Sequence, residues 1–169
     1  MPQFQIYFFR LFLFVFLQSF IFNQLEINAV IHIMITPLYI FLLPFERSVI
    51  SLLLAALVLG LTVDATSNTF GLHTSSLLLF AYLRPVIFRV FSPRDGYDSL
   101  KTPSIFDMGN RWFISTFSIL LLCHHLWFFT LEAFSLSETL IILQKTLLSS
   151  VISFVVCVIL QTIFIKRTS

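Results

Sequence analysis

Residues 60–73 read GLTVDATSNTFGLH and lie between two long apolar runs. Going in, residues 48–63 are mainly apolar and end on Asp64; coming out, an apolar run over 77–91 follows Gly71, His73 and the hydroxyl residues Thr74, Ser75 and Ser76. Two such runs joined by a short polar turn are expected to form a helical hairpin at the outward face of a membrane bundle. Asp64 is out of place there. The C-terminal end of a helix is the negative end of its dipole, and an acid at membrane depth also loses solvation, so the fold has to supply Asp64 with partners. Gly60 lies four residues earlier on the same helix face, where the lack of a side chain lets another backbone approach. Two readings follow: a helix-packing notch with a capped turn, or a polar pocket that takes a ligand or a partner's helix.

The rest of the chain has the composition this hairpin requires. Hydrophobic residues make up 58% and charged ones 11% of 169 residues, against about 25% charged in soluble domains. An integral membrane protein follows. A span takes roughly 20 apolar residues, so the chain is expected to be one all-α domain of six spans, at about 6–22, 29–43, 48–64, 74–91, 111–131 and 139–165. That leaves no room for a soluble catalytic domain. The first run, after Arg10, leads into Asn23 and Gln24 without a small-residue cleavage site and is expected to be a span rather than a removable leader. Between spans one and two lies a polar bend over 23–28 containing Glu26. Span two carries His32 and Pro37 and stops at Pro44, so a short, kinked or tilted helix is expected. Residues 92–110, SPRDGYDSLKTPSIFDMGN, read as an aqueous loop. Ser135 and Glu138 have capping-box spacing ahead of span six.

With six spans, Arg10, Arg47, Arg84, Arg89, Arg94, Lys101, Arg111, Lys166 and Arg167 fall on one side and Lys145 alone on the other. The positive-inside rule then makes both termini cytoplasmic. Asp64, His73, His124, His125, Glu132 and Lys145 lie toward the outer half, where Lys145 is the natural counter-ion of one of the acids. His124 and His125 are adjacent, hence about 100° apart on a helix, and cannot both face one cavity. Metal sites on a helix favour two histidines four apart plus an acid, so no metal is expected. Hydrogen bonds between helices are the reading for these side chains. Cys123 and Cys157 lie in apolar runs without metal or disulfide spacing and read as packing residues. At the inner end of span four, Arg84 and Arg89 can be read as reaching lipid phosphates or as part of a docking face for a cytoplasmic partner, and the lipid reading is taken for Arg89. The turn Arg94, Asp95, Gly96 and Tyr97 is kept as a docking point for a cytoplasmic partner. No GxSxG, HExxH, phosphate loop or paired carboxylates occur, so no catalytic residues and no cofactor are expected.

The hairpin GLTVDATSNTFGLH resembles the signature of the MreD family of rod shape-determining proteins: a glycine and an aspartate four apart at a span's end, then a glycine two residues before a histidine. The resemblance covers nearly the whole chain. The stretches LRPVIFRVFSPRDGYD, TPSIFDMG, HHLWFFTLEAF and LLPF are similar, in the same order, to the form of the family found in Bacteroidetes-type bacteria. Asn68 and Thr69 depart from the more glycine-rich turn of many members. The resemblance implies a non-enzymatic subunit of the cell-elongation machinery in the bacterial inner membrane. It implies MreC as partner and, through it, a RodA-type glycosyltransferase, a class B penicillin-binding transpeptidase and MreB, with membrane lipids but no nucleic acid. It also implies a fold similar to the six-helix substrate-binding subunits of energy-coupling-factor transporters. From that similarity comes a second reading, a subunit that binds a small molecule or lipid intermediate between Asp64, His73, His124, Glu132 and Lys145.

Overall fold

The computed structural model describes residues 3–25, 31–98, 101–134 and 136–164. The regular elements among them are helices: α1 (Gln3–Phe16), α2 (Thr36–Phe41), α3 (Val49–Ser67), α4 (Leu72–Val90), α5 (Ile105–Met108), α6 (Asn110–Ala133) and α7 (Thr139–Phe164). Four stretches are long and apolar enough to cross a membrane: Tyr7–Gln24, Val49–Ser67, Asn110–Ala133 and Thr139–Ile163. Helix α4 matches α3 in length, 19 residues each, but is more polar because it carries Arg84 and Arg89. Glu26, Ser135, Lys166 and Arg167 lie outside the described residues. Glu138 closes a short 3₁₀ turn, Leu136–Glu138, ahead of α7.

The bundle is apolar on both sides. Leu52, Ala56, Leu59 and Val63 of α3 meet Leu77, Phe80 and Ala81 of α4 and Phe113, Phe117 and Leu120 of α6 in the core. Outside, Phe8, Phe9, Phe12, Phe16 and Phe20 on α1 and its continuation are exposed, as are Leu147, Val151, Val155 and Ile159 on α7. Surfaces this apolar suit hydrocarbon or a partner rather than water.

Span two is where expectation and structure differ. In place of a continuous helix, the described part of the 29–43 run is non-helical over 31–35, with Ile35 already in the αR region as the N-cap, and then forms only α2. Pro37 does not kink it; it sits in the first turn of α2, where a missing N–H costs no bond. Residues 33–43 are buried without interruption, so this segment threads the centre of the bundle. Extended backbone at that depth must find donors and acceptors inside the protein. Gln18 serves one edge: its amide nitrogen donates to Ile33 O (2.9 Å) and its oxygen accepts from Ile35 N (2.7 Å). Helix α7 serves the other with a stripe of small polar residues four apart. Ser149 Oγ accepts from His32 N (3.0 Å), Ser153 Oγ accepts from Met34 N (2.9 Å), and Cys157 Sγ lies 3.9 Å from Met34 O. A widened π turn, Leu17–Ile21, continues α1 and contains Gln18 and Ser19, both buried.

Contacts at the two ends set the direction of the passes. Tyr39 donates to Tyr7 O (3.3 Å), placing the start of α1 beside α2 at one end. Ser19 pairs with Thr66 (2.6 Å) and Asn23 with Ser67 at the other. The start of α5 is anchored, because Thr102 and Ser104 just ahead of it bond Asp107.

Replacing Gln18 with leucine strips both partners from the 31–35 backbone, and orphaned buried amides and carbonyls cost about 1–3 kcal/mol each. Thermal unfolding in detergent is expected to show Gln18→Leu far more destabilised than Thr62→Val, whose hydroxyl only bonds the carbonyl of Val58 on its own helix (2.7 Å).

Candidate functional site

At the hairpin end, Asp64 is bound almost entirely by the start of the next helix. One carboxylate oxygen accepts from Thr69 Oγ1 (2.5 Å) and His73 N (3.1 Å), the other from Thr74 N (2.9 Å) and Thr74 Oγ1 (2.5 Å). Asp64 ends α3 and caps α4 at once: its charge, misplaced at a C-terminus, meets the positive N-terminal end of α4. Gly60 makes this possible. A Cβ there would lie 2.5 Å from Thr74 Cα, so any side chain would push α4 away. The turn reverses through Asn68, Phe70 and Gly71, all at positive φ (55°, 49° and 92°). Asparagine tolerates this backbone better than most residues, which accounts for a tight turn with one glycine. Phe70 is the tip, 93% exposed.

The sequence-predicted polar residues separate into layers. His125 is fully buried, with Nδ1 2.9 Å from Leu121 O and Nε2 3.2 Å from Ser153 Oγ. Only a donor can face a carbonyl, so Nδ1 carries the proton and Nε2 is left as an acceptor facing the Ser153 hydroxyl, which also lies 3.5 Å from His32 O. Ser153 thus ties the 31–35 segment to α6. His124, also fully buried, turns toward Phe80, and neither of its nitrogens has a hydrogen bond among the described residues. The two imidazole planes are tilted 73° apart, with their centres 5.3 Å from each other. Lys145 pairs with Glu132 at 3.0 Å, which settles which acid it meets.

A cavity of about 320 Å³ opens at this end, walled in part by Asn23, His32, Thr69, His73, Glu132 and Lys145. His73, Glu132 and Lys145 belong to the set expected from the sequence. Asp64 and His124 are not in its wall, being committed to the helix cap and the core. Asn23 and His32 enter instead, brought there by the bend after α1 and by the extended segment. His32 lies within the run read as helical, where nothing distinguished it from a packing residue.

The opposite end is basic, and of the two readings open for Arg84 the lipid anchor does not hold. Arg84 is 1% exposed, not snorkelling to lipid. Its Nε and Nη2 both donate to Phe41 O (3.2 Å each), and Nη2 also reaches Leu43 O and Pro44 O. These are carbonyls at the C-terminal end of α2, the negative end of a helix. The guanidinium also lies 4.5 Å from the centre of the Phe88 ring. Arg94, Asp95 and Gly96 form an exposed turn with Gly96 at φ 78°. Tyr97 folds back: it donates to Phe88 O (2.5 Å), stacks on Phe45 (4.3 Å) and accepts from Trp112 Nε1 (3.2 Å). Burial pushes its phenol above the usual value, against the lowering by Trp112 and by the Arg84 charge, so it stays a donor at neutral pH. Among the described residues no group of three or more histidine, cysteine, aspartate or glutamate side chains is placed to hold a metal.

The chain matches no protein-family model, no curated protein and no solved structure.

Asp64→Ala leaves two buried N–H groups and two hydroxyls without their acceptor. It is expected to lower stability by about 2–4 kcal/mol in a detergent unfolding assay, the order of a lost buried cap. Asp64→Asn, which keeps one acceptor, is expected to recover part of that loss. Gly60→Ala is expected to destabilise by forcing α3 and α4 apart.

Proposed function

We propose that the chain is a non-enzymatic scaffold subunit of MreD type, embedded in the bacterial inner membrane and holding MreC for the peptidoglycan-synthesising elongation complex. The wider partners are those the resemblance implies: a RodA-type glycosyltransferase, a class B penicillin-binding transpeptidase and MreB. On this reading the chain crosses six times with both termini cytoplasmic. The alternating directions of α1, the 31–41 segment, α3, α4, α6 and α7 support it, as does the gathering of Arg47, Arg84 and Arg89 at one end.

The observation that carries partner binding is a groove between α6 and α7. It encloses about 260 Å³, and its walls include Ser118, Leu121, Leu147, Ser150, Val151 and Phe154. Ser150 Oγ is buried there without a hydrogen bond among the described residues. An apolar groove with Ser118 and Ser150 set among larger side chains is the kind of surface a single transmembrane helix packs against. Gly60 and Asp64 contribute by shaping the hairpin, which presents Phe70 at its tip, not by touching the partner.

A photo-crosslinking amino acid at position 150, in the chain's native membrane, is expected to capture MreC, while the same group at position 58, on the exposed face of α3, is not. Equal products from both positions, or none containing MreC, would contradict the assignment.

The 320 Å³ cavity favours a second reading, a subunit that binds a small molecule or lipid intermediate through His32, His73, Glu132 and Lys145. Native mass spectrometry separates the two. A ligand retained by the wild type and lost in Lys145→Met, with MreC capture unchanged, would support this second reading.

A further inference from the structure

The basic end contains a second cavity of about 260 Å³, lined by Phe45, Arg47, Arg84, Pro85, Phe88, Arg89, Ser92 and Tyr97. Three arginines converge on it and no acid is among its lining residues. None of the three has an ion-pair partner among the described residues; Arg47 lies 5.9 Å from the Tyr7 ring centre instead. Arg84 is fixed in the wall. Its Nε and Nη2 are held by the carbonyls that end α2, while Nη1 has no acceptor among the described residues. A guanidinium held on one edge and unsatisfied on the other is already oriented, so little rotamer freedom remains to be lost on binding an oxyanion. Arg47 and Arg89 are exposed and flank it, and the Ser92 hydroxyl adds a polar rim.

We propose that this cavity is a phosphate site, occupied by the headgroup of an anionic phospholipid from the leaflet at the basic end. A phosphodiester offers several acceptor oxygens and a full negative charge, matching three guanidinium groups with no internal counter-charge. The walls favour a lipid as the source of that phosphate. Phe45, Phe88 and Pro85 give the cavity an apolar side. Trp112 and Tyr97, hydrogen-bonded to each other at this level, are the residue types that sit at the headgroup layer. Arg84 therefore joins two tasks: it closes α2 and presents its remaining edge to the headgroup. The site depends on neither reading of function given above, since it lies at the end of the bundle away from the hairpin.

The test is native mass spectrometry of the whole protein in detergent with added phosphatidylglycerol or phosphatidylcholine. Retention of phosphatidylglycerol over phosphatidylcholine is expected. The double variant Arg47→Gln, Arg89→Gln spares the structural Arg84 and is expected to lower retention about tenfold, the order for losing charge-assisted contacts. A control pair, Arg94→Gln with Lys101→Gln, removes the same charge from the neighbouring loop and is expected to leave retention within about twofold of the wild type. Circular dichroism and gel filtration verify that both double variants are folded. Glycerol 3-phosphate identifies the source: failure to displace the lipid assigns the headgroup with its chains, and displacement assigns a site for free phosphate esters. Equal losses in the two double variants, or no preference for phosphatidylglycerol, would overturn the proposal, because diffuse surface charge would then suffice.

Discussion

Inside hydrocarbon a backbone N–H or C=O has no water to turn to, and this one constraint organises the protein. Helices meet it unaided except at their ends. The chain departs from helix at depth in the 31–35 segment, and it ends helices there at the α3–α4 turn and after α2. At each place a buried side chain supplies what the backbone lacks. Gln18, Ser149 and Ser153 pair with the extended segment, Asp64 closes the start of α4, and Arg84 closes the end of α2. The packing follows from these ties. Once the central pass is held from both edges, α1 and α7 must flank it, and α4 is fixed by an acid at one end and an arginine further down.

The two charges on this axis share a feature. Among the described residues neither Asp64 nor Arg84 is paired with an ion of opposite sign; each is balanced by the partial charges of a helix terminus. Burying an isolated ion is very unfavourable, and a fixed array of peptide dipoles offsets it without placing a second charge in the core. Both ions are thereby linked to element ends, so the hairpin and the central pass are located by electrostatics as well as by shape. Gly60 provides the steric half of the same arrangement, since Asp64 can reach Thr74 only where α3 and α4 nearly touch.

How far the sequence reveals this depends on the range of the interaction. Asp64, Gly60 and the first turn of α4 lie within about fourteen residues, and dipole arguments alone show that the acid needs donors nearby. The extents of α3, α4, α6 and α7 follow from apolar length. The interior of the second pass does not. Its run, IHIMITPLYIFLL, is equally apolar whether helical or extended, and what makes it extended is Gln18 upstream and a serine stripe more than a hundred residues downstream. Periodicity cannot report partners at that distance. The role of Arg84 is hidden for a related reason: a basic residue near a span's end could equally be a lipid anchor until the carbonyls of Phe41, Leu43 and Pro44 are brought beside it. The Glu132–Lys145 pair is intermediate, because the charges are evident and the choice between acids is made by the α6–α7 packing.

The scaffold role proposed above would draw on such a centre. Helix ends held in this way leave the outer faces, with Phe70 and the α6–α7 groove, free to meet a partner. The most direct measurement of this account is amide hydrogen exchange, followed by mass spectrometry, on peptides covering 31–36 in the detergent-solubilised protein. The account predicts exchange as slow as in α3 despite the absence of helix, and acceleration in Gln18→Leu with α3 unchanged. Exchange as fast as in the exposed 92–96 turn would contradict it, showing that the central segment is not held by side chains.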